Sequence, residues 1–175
     1  MDLLKDIDPT RAVAFSGHRP DRLPGKGDPS TPETSILIVT LREQIKSAID
    51  RGMIFYLHGC MAGFDILAAE QIITLKQQYP HIQLVTVAPY AVHFFSREKC
   101  WTPDWVRRAR EVCRQSDIGM SLSEHYCSGI YYERNKALID RSSELICYWD
   151  GGDGGTKYTV DLAKAQNKPI INIAD

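Results

Sequence analysis

A regular alternation constrains this chain more than any other feature. Short apolar runs, "AVAFS" at residues 12–16, "MIFYLH" at 53–58, "IQLVTVA" at 82–88, "IGMSL" at 118–122, "ELICYW" at 144–149 and "PIINI" at 169–173, are separated by longer amphipathic segments. In the segment at 32–51, Leu37, Leu41, Ile45, Ala48 and Ile49 recur at helical spacing. Thr31 before Pro32 reads as its start and Gly52 as its stop. Residues 66–78, 103–115, 131–142 and 156–166 read as further helices, with Pro80 ending the first of these and Pro89 closing the third strand. The strands are unbroken apolar runs, as expected when both faces of a sheet are covered. The expectation is therefore an α/β fold: a single-domain, Rossmann-like open sheet, mostly parallel, with helices on both faces. Its 175 residues fit one domain over 1–175.

Ligands on such sheets sit beyond the carboxyl ends of the strands, which directs attention to the turns there. After the first strand come Gly17, His18 and Arg19; an arginine offers paired donors to a phosphate. After the second comes "HGCMAGFD", in which Gly59 and Gly63 leave backbone amides open, with Asp65 as a helix cap or a ribose partner. After the fifth comes "YWDGGDGGTKYTVDLAKA", where Gly151, Gly152, Gly154 and Gly155 run into Thr156, a good N-cap residue. Two glycine-containing strand-to-helix turns in one sheet point to one nucleotide or phosphate site more than either does alone. Neither turn has the dinucleotide fingerprint or the P-loop spacing.

Other signals narrow the classes. The net charge of −1 argues against a protein that mainly coats nucleic acid or an anionic membrane, although Arg107, Arg108, Arg110 and Arg114 could form a local basic helix face. No apolar run is long enough to span a bilayer and no signal-peptide pattern opens the chain, so the expected location is cytoplasmic. Five cysteines without a CxxC pair, and histidines without HxxxH spacing, predict no metal site and no disulfide framework. Cys60 in a strand-to-helix turn lacks a suitably placed base and is not expected to be a nucleophile. Trp101, Phe94 and Phe95 could form a lid or a stacking surface, Tyr90 is a further stacking candidate, and Trp105 reads as core.

"FSGHRP", "HGCMAGFDILAAE", "YYERNKALIDRS" and "DGGDGGTKYTVDLAKAQNKPI" together resemble the SLOG superfamily, which includes the DprA/Smf and LOG proteins, and most of all its YpsA/YoqJ-like branch. The resemblance runs over about residues 12–173. It implies one SLOG-like domain that binds a nucleotide, NAD- or ADP-ribose-like or a nucleotide second messenger, with no other cofactor identified, and a homo-oligomer. On it, Gly59, Gly63 and Asp65 match the first motif, and Arg134 and Asn135 fall at matching places in the helix that would meet phosphate or ribose. Gly155 and Thr156 match the GT of the LOG motif PGGxGTxxE, but the catalytic glutamate of that motif falls at Thr159. A threonine has no titration near neutrality to serve acid–base chemistry. The resemblance thus implies a sensor or sequestering protein without LOG-type catalysis, with catalytic residues unknown. Two alternatives are an N-glycosidic or phosphoribosyl hydrolase using Asp65, Glu70 or Glu133, and a DprA-like partner of single-stranded DNA.

Overall fold

The computed structural model describes residues 3–174, apart from the side chains of Leu3 and Phe95, which lie outside the described residues. Six strands are seen among them: β1 (Ala12–Gly17), β2 (Phe55–His58), β3 (Gln83–Tyr90), β4 (Ile118–Ser123), β5 (Glu144–Tyr148) and β6 (Ile170–Asn172). The α-helices are α1 (Pro32–Asp50), α2 (Phe64–Leu75), α3 (Pro103–Gln115), α4 (Ile130–Asp140) and α5 (Gly155–Ala165). The strands form one sheet in the order β4-β3-β2-β1-β5-β6, and every pairing is parallel. The chain therefore winds outward from β1 to β4, then returns to the other side of β1 with β5. This is a Rossmann-like sheet, and the reversal puts a topological switch point between β1 and β5.

Alternation of side chains across β1 builds two cores. Val13 and Phe15 point to one face, where Leu37, Leu41 and Ile45 of α1, the apolar residues of α2, and Trp105, Ala109 and Val112 of α3 close over them. Ala12 and Ala14 point to the other face, against Leu138 and Ile139 of α4 and Val160 and Ala163 of α5. Helix α2 packs between α1 and α3 and is buried almost all round, which its near-continuous apolar sequence requires.

Helix α1 begins and ends at the expected residues. The Thr31 hydroxyl accepts the N–H of Thr34, and Gly52, at φ +92°, closes the other end. There the Gly52 N–H donates to the Ile49 carbonyl and the Met53 N–H to the Ala48 carbonyl. Met53 is thereby drawn into the helix stop, and β2 starts only at Phe55. Strand β3 does not stop before Pro89 but runs through it to Tyr90, which pairs with Ser123. Strand β2 has already ended at His58, opposite Thr86, so this part of β3 has a neighbour on one side only and accommodates a proline. The expected cap at Thr156 is also corrected. Gly154 is the N-cap of α5, without a side-chain cap, and Thr156 lies buried inside the first turn.

Candidate functional site

At the switch point, beyond the carboxyl end of β1 and beside the starts of α2 and α5, lies a cavity of about 270 Å³. Gly17, His18 and Arg19 line it from β1; Asp65 from the start of α2; Arg134 and Asn135 from α4; and Gly154, Gly155 and Thr156 from the start of α5. Nine of the residues expected from sequence thus meet around one space. Gly59 and Gly63 lie outside the lining, in the turn between β2 and α2. A Cβ on Gly59 would collide with the Arg134 guanidinium, and one on Gly63 would collide with the His18 carbonyl. These two glycines let other site residues approach the turn.

Arg134 is the centre of the arrangement. It is only 5% exposed, its Nε donates to Asn135 Oδ1 at 2.8 Å, and Nη1 donates to the Gly59 carbonyl. Nη1 also lies 3.7 Å from Oδ2 of Asp65, itself 6% exposed. Burial pushes the Asp65 pKa up, while the charges of Arg134 and Arg19 and the nearby Met61 and Gly59 backbone amides pull it down. Nη2 of Arg134 has no hydrogen-bond partner among the described residues. A buried guanidinium with a free edge beside an open cavity is a seat for an anion.

The wall opposite is built by the stretch "DGGDGG". The Nε2 of His18 lies 2.8 Å from Oδ1 of Asp150 and 3.1 Å from its backbone nitrogen, while Nδ1 is 3.4 Å from the Thr156 hydroxyl. Burial, then the charge of Arg22, lowers the His18 pKa, which favours neutral imidazole at neutral pH. Arg22 lies across the loop, donating from Nε to Asp150 Oδ2 at 2.9 Å and from Nη1 to the Asp153 carbonyl at 3.0 Å. Part of the glycine content has this cause: a Cβ on Gly152 would strike the Arg22 guanidinium. Gly154 (φ +138°) and Gly155 instead border the cavity with nothing within 3.5 Å of their Cβ positions. Arg22, Asp21, Met61 and Tyr131 line the same space and were not singled out from sequence. The spacing of Arg22 from Arg19 in "HRPDR" is its only sequence signal, and a short 3-10 turn, Pro20–Arg22, brings it round.

The helix starts differ in a consistent way. Helices α1 and α3 are capped by the side chains of Thr31 and Thr102. Helices α2, α4 and α5, which supply the cavity lining, have Gly63, Gly129 and Gly154 at the N-cap and no side-chain cap. At α5 this leaves first-turn N–H groups, with the positive end of the helix, directed to the cavity side.

Other expected features fall elsewhere. Glu70 is held by Arg108 at 2.7 Å, away from the cavity, and Glu133 is not in the lining. Thr159 is buried and its hydroxyl donates to the Gly155 carbonyl. Arg108 belongs to the interior and not to the basic face of α3: it is 6% exposed, binds Glu70 and Gly27, and stacks on Trp105. Tyr90 is 9% exposed and packs edge-on against Tyr126 and Tyr131. No group of three or more potential metal ligands occurs among the described residues, and no described helix is long and apolar enough to cross a membrane.

An all-parallel sheet in this order, with a cavity at its switch point, defines a Rossmann-like domain. The family model YpsA, described as the YspA SLOG family, matches residues 13–173, and the chain belongs to this family. The UPF0398 protein BH1768 of Halalkalibacterium halodurans is 27% identical over 129 residues, 72% of this chain and 66% of that protein. The UPF0398 protein YpsA of Bacillus subtilis is 23% identical over 161 residues, 90% of this chain and 87% of the other. Among solved structures, DNA processing protein A from Helicobacter pylori, described for its single-stranded DNA binding mode, superposes with a TM-score of 0.61. It is 20% identical, with 97% of this chain and 67% of that one covered, a likeness of fold.

Proposed function

We propose that the protein binds a nucleotide or nucleotide-derived ligand of the ADP-ribose kind in the crevice between β1 and β5, as a sensor or sequestering protein. Buried Arg134, which lines a cavity that the uncapped start of α5 also borders and whose Nη2 has no hydrogen-bond partner among the described residues, carries this reading. In it the phosphate lies between Arg134 and the N–H groups at Gly155 and Thr156, and His18 and Asn135 orient the sugar. The volume, about 270 Å³, is near the small end of ligand pockets, about 300–1,000 Å³, and suits a mononucleotide-sized portion with the remainder outside. Binding stands ahead of hydrolysis because the lining carboxylate Asp65 is buried and lies 3.7 Å from the Arg134 guanidinium, its charged partner. Thermal unfolding against AMP, ADP-ribose, NAD, ATP and cyclic nucleotides tests the reading. A ligand at about 100 times its Kd adds about 2.7 kcal/mol, a shift of several degrees. No shift with any of them, in protein shown to carry no co-purified nucleotide, overturns it.

A second reading has a separate observation behind it. Phe94, Trp101 and Val106 form the floor of an open groove of about 800 Å³ whose rim carries Arg107, Arg110 and Arg114. Aromatic floor and basic rim suit a single nucleic-acid strand, the ligand described for DNA processing protein A. Two of the three arginines are already paired, with Asp104 and Glu111, so the first reading is preferred. Salt-sensitive binding of a single-stranded oligonucleotide, lost in Arg110→Glu, would reverse that preference.

A further inference from the structure

Two thiols meet just behind the candidate cavity. Cys60 Sγ, in the β2–α2 turn, lies 3.4 Å from Cys113 Sγ on α3, although 53 positions separate them. Cys60 is completely buried, whereas Cys113 is exposed. Cys113 lines an open surface depression of about 330 Å³ with Val92, Gly119 and Ser121, which gives a small reagent access to the pair. Cys60 also sits at φ +56°, a region where glycine or asparagine is the easy choice. Its backbone is clamped there: the N–H donates to His58 Nδ1 at 3.1 Å, and the carbonyl meets His93 Nε2. The turn thus holds a cysteine in an unfavourable conformation and aims its sulfur at a second, accessible sulfur.

We propose that Cys60 and Cys113 form a reversible disulfide when the protein meets a peroxide. The Cys113 thiolate attacks one peroxide oxygen, the O–O bond breaks, and Cys113 becomes a sulfenic acid with release of one water. The Cys60 sulfur then attacks Cys113 Sγ and the second oxygen leaves as water, taking the Cys60 proton. Two thiols are oxidised by two electrons and one peroxide is reduced to two waters. The hydrogen bond from Cys60 lowers the Cys113 pKa, and the same contact, with burial, raises that of Cys60, which assigns the attacking role to Cys113. The sulfurs must close from 3.4 Å to about 2.05 Å, which adjustment of an exposed side chain can supply. The bridge fastens to α3 the turn whose Gly59 carbonyl holds Arg134. The inference stands on the sulfur geometry and does not depend on which ligand the cavity takes.

Peptide mapping by mass spectrometry tests it. Reduced full-length protein is exposed to hydrogen peroxide, alkylated and digested. The expected product is a Cys60–Cys113 cross-linked peptide, lighter by two hydrogens than its two parts. Dithiothreitol should abolish it, and Cys113→Ser should prevent it. Cys113 advancing to sulfinic acid while Cys60 is recovered reduced would overturn the proposal. So would preferential cross-linking of Cys113 to Cys100 or Cys127.

Discussion

Gly63, behind the cavity lining, and Gly155, within it, are under opposite constraints. Gly63 has φ +105°, and a Cβ there would strike the His18 carbonyl and come within 2.9 Å of the Arg19 Cα. Gly63→Ala should therefore cost at least ~2 kcal/mol, read as a lower urea midpoint. Gly155 has an ordinary φ, and the nearest atom to its Cβ position is Asn135 Nδ2 at 3.8 Å. An aspartate fits there and favours the positive end of α5, so Gly155→Asp should unfold at or above the wild-type midpoint. The histidines add a pH dependence. Burial holds His58 down to about 3 and His93 down to about 4, from an ordinary 6.5. The unfolded chain therefore takes up protons that the folded chain refuses. The stability both supply is present above pH 6.5 and is lost as pH falls towards those values. Between pH 6 and 5 the two histidines should lower stability by about 2 kcal/mol per pH unit, more than the single Asp65 carboxyl, whose pKa burial raises, can offset. A flat profile in urea titrations over that interval would contradict the assignment.

At the scale of elements, α3 separates two kinds of arginine. Arg108 crosses to Glu70 on α2 and to the Gly27 carbonyl, and its removal leaves a carboxylate and a carbonyl without their partner. Arg108→Ala should destabilise by about 2–3 kcal/mol, while Arg107→Ala, at a solvated i,i+3 pair with Asp104, should leave the unfolding midpoint at the wild-type value. Equal midpoints for the two variants would refute the distinction. This is also where sequence reading reached its limit. The strands and helices were legible because unbroken apolar runs and 3.6-residue periods report burial directly. In "PDWVRRAREVC" Arg107 and Arg108 are adjacent arginines, and only the packing of α3 on α2 decides which one turns inward. The start of α5 was misplaced by the same kind of gap. Thr156 has the chemistry of a cap, but Gly154 provides the φ of +138° that turns the chain into the helix.

At the scale of the molecule, the order β4-β3-β2-β1-β5-β6 makes the site. Returning beside β1 puts β5 and α5 across from the end of β1, with α4 alongside. Residues as distant as His18, Asp65, Arg134 and Thr156 then share one cavity. The sequence showed that loops after β1, β2 and β5 were unusual, and nine of the eleven residues marked there and in α4 line the cavity. It did not show Arg22, because an arginine four residues past His18 becomes relevant only when a 3-10 turn folds it over the glycine loop. On the proposed function, the crevice at the start of α5 binds the phosphate of a nucleotide-derived ligand. Equilibrium titration of ADP-ribose into wild-type protein and Gly155→Asp, side by side, tests it most directly. The account predicts saturable one-to-one binding to the wild type, and at least a tenfold weaker Kd for a variant that remains folded. Binding of equal strength to both proteins would contradict it.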